Sequence, residues 1–542
     1  MRALASLVVL ASCSNPSILM PDPPPAERIG LGRSIDAELG ATPHRYRLEL
    51  AKDQVARGAV LQQGVDALIT VYDPSGKKLG DFDSHTGDQG PEPFTVVGSD
   101  AGPYDLEVHA WVDEQGKVAT GRITTHIDAI IPRDTYEDEL LAKTVDSPRV
   151  RELFRALRHH VPGAADAFWK QLVGHEPIVE PYPQDPSTAL VTWVMRSPQA
   201  YVGMVGGPSA REKPMVRIAD SDLFYLSARV PTDARLIYGF IPDSLPPSFH
   251  QPHTNDGPDR YADMELDPNN PRAYIGLSVL ELPGAPPATV AEVRPGAAKG
   301  TLTEIKIAST ALKEDRRVGV YLPPGYDPKQ TYPLVIAFDG EVYGLPGQPA
   351  LVPVPTILDN LLADGKLPPV VAMIVANQNV RDKDLAYSAA FSDFVAGEIV
   401  PRARADYHAG LAPAQTLVTG SSLGGLASSF LALHHSDVIG NVLSNSGAYQ
   451  VRPEQFVRDL PDYPDGERLS GDFVSSPKLP IRFYLDCGVF EDELRDSNRR
   501  LRDVLRAKGY DVTYREFSGN HDYGQWRRTI ADGLVALLGQ RS

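Results

Sequence analysis

The sequence predicts a multidomain chain: two β-sandwich-like N-terminal domains, then an α/β domain with a mostly parallel, doubly wound sheet. Three observations carry this. At 542 residues the chain is too long for one core, and about three domains is the natural division. Residues 34–131 and 187–290 hold short strands punctuated by Gly and Pro turns. From residue 296 to 542, continuous apolar runs alternate with helical periods, the pattern of strands covered on both faces.

The N-terminus reads as an export signal. Met1-Arg2 supplies positive charge, residues 3–11 are apolar or small, and Leu10-Ala11-Ser12-Cys13 is similar to the lipobox of bacterial lipoproteins. The apolar segment is far too short to span a bilayer. Residues 1–13 are therefore expected to be a lipoprotein-type signal peptide with Cys13 lipidated. The Pro-rich stretch 14–33 is expected to be a tether. Such a protein is exported and held at the cell envelope or in the periplasm, with a membrane attachment through Cys13. The chain has two cysteines, Cys13 and Cys487. Cys487, beside a strand, is expected to be a buried, inert thiol.

In the first sandwich, residues 44–51, 67–72 and 104–112 alternate, with turn signals at Pro74-Ser75-Gly76 and Gly102-Pro103. Residues 102–108 weakly resemble the last strands of prepeptidase-C-terminal-type sandwiches. Residues 132–186 carry a helical period (Val150, Leu153, Phe154, Leu157) and read as a helical linker. His159-His160 lacks companions at metal-ligand spacing and reads as a solvated helix end. Strands at 189–194, 223–228 and 235–240 open the second sandwich. In the α/β domain, strands are expected at 303–307, 317–322, 334–338, 370–376, 481–485 and 512–516. Helices are expected at 355–363, 389–404, 423–435 and 495–508. The net charge of −17 argues against general nucleic-acid binding.

Residues 416–425 carry the most chemical information. Leu417 and Val418 feed Gly420-x-Ser422-x-Gly424, and a helical pattern follows. This is the strand–turn–helix context of a nucleophile elbow. Glycines two before and two after the serine let the turn close tightly, and the hydroxyl stands clear for a base. Ser421 lacks a glycine at its own minus-two position. The remaining partners should follow in the order acid then histidine, the order of α/β-hydrolases. His521 lies in a loop after the last strand, where the base is expected. His434 and His435 sit too far down the elbow helix to reach Ser422. The acid should follow residues 481–485. Glu491 is the first choice and Asp492 the alternative, its role being to orient His521; Asp486 lies before the turn. Backbone N–H groups of Leu423 and of the Asp339-Gly340-Glu341 loop are placed for an oxyanion hole, with Gly340 and Glu341 as donors. Glycine at 340 is expected to let the backbone approach substrate.

From about 165 to 542 the chain resembles bacterial enterochelin esterases and the esterase-D-like hydrolases around them. The matching segments are Phe168-Trp169, 267–271, 279–286, 317–326, Phe338-Asp339-Gly340, 367–369, 420–425, Ser444-Asn445-Ser446-Gly447, 519–522 and Trp526-Arg527. Their shared order along the chain carries the resemblance. It implies that residues 187–290 are the family's N-terminal sandwich. It also implies that Ser422 and His521 cleave esters of a catecholate siderophore. Arg381-Asp382-Lys383-Asp384-Leu385 resembles a family Arg-x-x-Glu-Leu element, with Asp384 in place of glutamate. Ser388 stands where the family often has asparagine, and Tyr449 where it often has tryptophan. On this resemblance Arg381, Asp384 and Tyr449 are expected to line the substrate pocket. Residues 14–160 fall outside it.

The expected function is a serine esterase acting through an acyl-enzyme on a small-molecule ester, a ferric siderophore being the family's substrate, without metal or organic cofactor. Two alternatives stay open. One is an aryl- or acyl-carbohydrate esterase or acyltransferase; the other is a non-catalytic surface binding protein on a hydrolase scaffold.

Overall fold

The computed structural model describes residues 25–84, 87–112, 118–136, 139, 145–242, 264–452 and 467–539. Residues 1–13, expected to be a signal peptide, lie outside these residues, Cys13 included. The chain divides into two compact units, with the boundary at Arg151 and Glu152. Among the described residues, no helix is long and apolar enough to cross a membrane.

The first unit pairs two sheets around one core. The five-stranded sheet runs in the order Glu27–Ile29, His44–Leu50, Gly102–Ala110, Ala67–Tyr72, Lys78–Phe82. The four-stranded sheet runs Ser34–Leu39, Gly121–Pro132, Gln54–Gln63, Gln89–Gly98. Alternation decides what is buried: Tyr46, Leu48 and Leu50 point into the core shared with Tyr104, Leu106 and Val108. The tether expected over 14–33 ends earlier than predicted. Glu27–Ile29 already pairs, in parallel, with Tyr46 to Leu48.

The second unit begins with helices Pro148–Arg158 (from Glu152 on) and Ala164–Lys170. Two more sheets follow. One is ordered Ile178–Pro181, Thr188–Arg196, Leu223–Pro231, Val216–Arg217. The other is ordered Ser209–Pro214, Gly203–Gly206, Arg235–Ile241, Leu277–Glu281, Ala273–Tyr274. Trp193, fully buried, packs edge-on against Tyr238 at the centre of their shared core. Truncating such a core aromatic to alanine costs about 3–5 kcal/mol.

The eight-stranded sheet that follows comprises β1 (Thr301–Ser309), β2 (Glu314–Leu322), β3 (Leu334–Ala337), β4 (Val371–Val375), β5 (Thr416–Ser421), β6 (Asn441–Asn445), β7 (Arg482–Gly488) and β8 (Asp511–Phe517). Their spatial order is β1-β2-β4-β3-β5-β6-β7-β8. β1, β2 and β4 pair antiparallel, and every pairing from β4 to β8 is parallel. Helices cover both faces. A helical run over 389–407, α2, lies on one face with α3 (Leu423–His434) and α4 (Asp492–Ala507). Helices α1 (Val354–Ala363) and α5 (Tyr523–Leu538) lie on the other. β3 shows why its run is apolar throughout: Leu334 and Ile336 serve one core, Val335 and Ala337 the other. The helix expected over 389–404 contains a π-helical turn, Val395–Ile399. The parallel strands all end at one edge, so the loops after β3, β5, β7 and β8 gather there. Ligands bind at this edge in open α/β sheets.

Candidate active site

Ser422 follows β5 and stands at the N-cap of α3 in a conformation few side chains adopt, with φ 58° and ψ −121°. Such strain persists only where the surroundings enforce it. Here the enforcement is steric. A Cβ on Gly420 would lie 2.7 Å from the backbone of Gly424, so the turn needs glycine at 420. The backbone fixes the turn further. Ser422 N–H donates to Asn445 O (3.0 Å), and Ser422 O accepts from Ala448 N–H (3.0 Å). Ser421 is fully buried, and its hydroxyl meets that of Tyr343 at 3.0 Å.

His521 stands in the loop after β8. Its Nδ1 lies 2.7 Å from Glu491 Oε2. Glu491 is buried, 3 % exposed, and follows the turn after β7. Its other oxygen, Oε1, accepts from Gly488 N–H (2.6 Å) and Ser446 Oγ–H (2.7 Å). Ser446 Oγ in turn accepts from Trp526 Nε1–H (2.9 Å). The Trp526 ring packs at 90° on the His521 ring, with centroids 4.7 Å apart. Asp492, the alternative acid, is exposed at the start of α4. Asp486 is fully buried but faces elsewhere, with its Oδ2 accepting from Asn445 Nδ2 (2.7 Å). Burial pushes its carboxyl up to about 7. The Cys487 thiol is buried and free, and burial pushes its pKa up.

The His521 loop is tied to the preceding sheet domain. Asn520 Oδ1 accepts from His521 N–H (2.8 Å), and Asn520 Nδ2 donates to Gly207 O (3.3 Å). Arg235 N–H donates to Ser518 O (3.2 Å), and Gln525 Nε2 donates to Arg235 O. A cavity of about 330 Å³ opens beside His521. Gly206, Ile237 and Leu277 of the sheet domain line it together with Glu491, Asn520 and His521. Asp522 also lines it and caps α5. Burial raises its carboxyl to about 7, with the charge on Glu491 adding to the rise.

The loop after β3 lies against the elbow. A Cβ on Gly424 would stand 3.2 Å from Asp339 Oδ2. Gly340 and Glu341 open a short helix, Gly340–Tyr343. A Cβ on Gly340 would meet the backbone of Val375 and Ala376 at 2.9–3.0 Å, so the small residue serves the close approach to the end of β4. The Glu341 carboxylate accepts from Asn377 N–H (3.0 Å) and Gln378 N–H (2.9 Å), pinning the loop after β4.

The three residues expected to line the pocket part company. Arg381, half-exposed, forks onto Asp339 (Nε–Oδ1 2.6 Å, Nη2–Oδ2 3.0 Å), and its Nη2 also reaches Ser421 O at 3.4 Å. It stands beside the elbow. Asp384 does not fit the expectation. It is 3 % exposed and paired with the fully buried Arg316, an ion pair of the core. Tyr449 does not fit it either. It is fully buried, with its hydroxyl held by Ser444 Oγ (2.7 Å) and Ser429 Oγ (2.9 Å), and burial pushes it up to about 12. Ser388 caps the helical run at Ala389 by accepting from Phe391 N–H (3.2 Å). His434 packs on Phe430 and His435 pairs with Asp393, both away from the elbow. His159 and His160 are exposed. Sequence reasoning named no role for Ser446, Trp526 or Asn520. The signal available was position: each follows a strand of the active edge or lies within one or two turns of His521.

Sheet order, elbow and Glu491–His521 pair give the arrangement of an α/β-hydrolase fold, and the likenesses below support a hydrolase acting on esters. The comparisons with known proteins agree. The family described as "Putative esterase" matches residues 309–537, and that described as "Enterochelin esterase, N-terminal" matches 195–291. The iron(III) enterobactin esterase of Dickeya dadantii is 27% identical over 423 residues, spanning 70% of this chain and 94% of the relative. That of Escherichia coli K12 is 28% identical over 353 residues, spanning 61% and 82%. The enterobactin esterase of Shigella flexneri, solved in the presence of enterobactin, is 25% identical with a TM-score of 0.53, spanning 68% and 97%. The chain is thus enterochelin-esterase-like over its esterase domain and the sheet domain before it.

Proposed function

We propose that the protein is a serine esterase of catecholate siderophores. The observation that carries this is the strained, glycine-flanked Ser422 at the same sheet edge as a histidine bound at 2.7 Å to a buried glutamate. Ser422 Oγ attacks the ester carbonyl, and His521 Nε2 accepts its proton. The Leu423 N–H, with Gly340 or Glu341 N–H, stabilises the oxyanion. Glu491 fixes the tautomer with Nδ1–H toward itself and stabilises the imidazolium. The imidazolium then protonates the leaving alkoxide. Water, deprotonated by His521, attacks the acyl-enzyme, and the imidazolium returns that proton to the departing Ser422 Oγ, releasing the acid and free Ser422. Arg381 stands beside this site and contacts the substrate. The substrate class follows the likeness to enterobactin esterases. Aryl- and acyl-carbohydrate esters remain the second reading. The two β-sheet pairs serve as accessory sandwiches, and Cys13, once lipidated, anchors the exported enzyme at the envelope.

The test is a hydrolysis panel: a catecholate triester with and without iron, a feruloyl sugar, and short p-nitrophenyl esters. Preferred cleavage of the triester, abolished by Ser422→Ala, is expected. Cleavage of only the sugar ester would replace the substrate. Cleavage of none, with no fluorophosphonate labelling, would overturn the esterase reading. Cys13→Ala should abolish incorporation of radiolabelled palmitate.

A further inference from the structure

Glu491 is held by more than His521. The carboxylate has three hydrogen bonds of consequence to its chemistry, a fourth standing one link behind them, and their directions are fixed by the groups involved. Gly488 N–H can only donate, and it points at Oε1 (2.6 Å). Trp526 Nε1–H can only donate, and it points at Ser446 Oγ (2.9 Å). The Ser446 hydroxyl, accepting there, spends its own proton on Glu491 Oε1 (2.7 Å). Oε2 is left for His521 Nδ1 (2.7 Å). The chain Trp526→Ser446→Glu491→His521 therefore has one polarity. The same indole that starts it also supports the far end, packed at right angles on the His521 ring.

Ser446 is committed to this place. It is fully buried and has φ 49°, a left-handed conformation unfavourable for serine. Its own N–H is tied to Asp486 O (2.8 Å). The hydroxyl has no alternative direction that keeps both partners. A buried, fully satisfied polar chain of this kind is rigid, and a broken one is costly.

We infer that Ser446 and Trp526 are positioning residues for the reaction, a relay that orients the Glu491 carboxylate and sets how strongly it holds the His521 proton. The inference rests on the serine esterase reading above. Two donors on Oε1 disperse the charge of the carboxylate. With one removed, Glu491 is more basic and holds the imidazolium more tightly. The acid limb of kcat/KM against pH, which reports the free enzyme's base, must then move to higher pH. Other charged or titratable groups lie around the pair and act on it through space. They are Asp486 and Cys487 from β7, Asp492 and Glu493 from α4, and Asp522 beside His521, with Arg235 of the sheet domain acting on Asp522. All are unchanged in the variants, so a difference in profile isolates the relay.

The experiment uses the full chain and p-nitrophenyl butyrate, with profiles from pH 5 to 9. Trp526→Phe keeps the edge-to-face ring and removes only the N–H. Its kcat is expected to fall about 3–10-fold with KM within about twofold, and its acid limb to rise by about half a unit. Ser446→Ala is expected to lose about 10–30-fold in kcat and to shift the limb further in the same direction. The double variant should lose no more than Ser446→Ala alone, because the two act in series. Thermal unfolding checks that each variant is folded; where Ser446→Ala is not, Trp526→Phe decides. A limb that stays in place or moves down, or losses that multiply in the double variant, would overturn the relay. Ser422→Ala runs alongside as the control on the underlying reading. Wild-type turnover by that control would remove the esterase mechanism and the relay with it.

Discussion

The two units bury different things. The first unit, residues 25–151, is a core of alternating aliphatic and aromatic residues, and its prominent ion pair, Arg47–Asp105, lies at the surface. The second unit places charge and hydroxyls deep inside: Arg316–Asp384, Asp486–Asn445, and the Glu491–Ser446–Trp526 cluster. Burying such groups without full pairing costs several kcal/mol each. The second unit keeps them in the domain whose sheet edge carries the chemistry. The first unit also buries polar side chains, among them Gln62, Thr70, Glu92 and Thr125, so the difference is one of kind: the second unit adds a buried ion pair and a chain of hydroxyl, indole and carboxylate at the edge where its candidate site must be held.

The sharpest way to break this contrast is to damage each side in turn. Ser422→Ala should reduce kcat by about 10⁴-fold or more and abolish fluorophosphonate labelling. A chain beginning at Asp146, without the first unit, should hydrolyse p-nitrophenyl esters within about twofold of the full chain. A large loss in the truncated chain would make the first unit part of the catalytic machinery. Next in size, Glu491→Gln should lower kcat by about 10³-fold, whereas Asp492→Asn, exposed at the start of α4, should stay within about threefold. Equal losses would undo the assignment of the acid.

Stability sharpens the contrast further. Asp384→Ala removes the buried partner of Arg316, leaving it the part-exposed Glu314, and is expected to cost about 3 kcal/mol in urea unfolding. Asp105→Ala in the first unit should barely move the midpoint, because its partner Arg47 is well exposed. The smallest effect is in pH. The Asp486 carboxyl titrates near 7 in the folded protein, raised by burial from an ordinary carboxylate value. The folded state therefore binds more protons than the unfolded one between about pH 4 and 7. Stability from this group is fully present below pH 4 and is lost as pH rises through 7. Asp486→Asn should flatten that decline, and thermal midpoints at pH 5 and pH 8 would measure it.

Much of the α/β domain was legible because strands buried on both faces must be apolar throughout. β3 and β4 were placed within a residue or two. β6 was missed. Its sequence, Asn441–Asn445, begins and ends in polar residues that find partners inside the core, and periodicity cannot see a hydrogen bond made to another strand. The elbow was legible because its chemistry is local. Glu491 and Asp492 were hard to separate because the backbone turns between them, with φ 39° at Asp492. Asp384 and Tyr449 were misread for a related reason. Only the fold brings Arg316 against the first, and Ser444 and Ser429 against the second.

The loop that carries His521 is braced from outside its own domain. Asn520 hangs on the carbonyl of Gly207, Ser518 and Gln525 clasp the backbone of Arg235, and Gly524 packs so closely on Ile237 that a methyl group there would come within 2.7 Å of it. The proposed proton-transfer step and the integrity of the neighbouring sheets therefore share one point of failure. Substitutions at Gly207, Arg235 or Ile237 count as changes to the proposed base His521, although none of the three lies in the esterase domain.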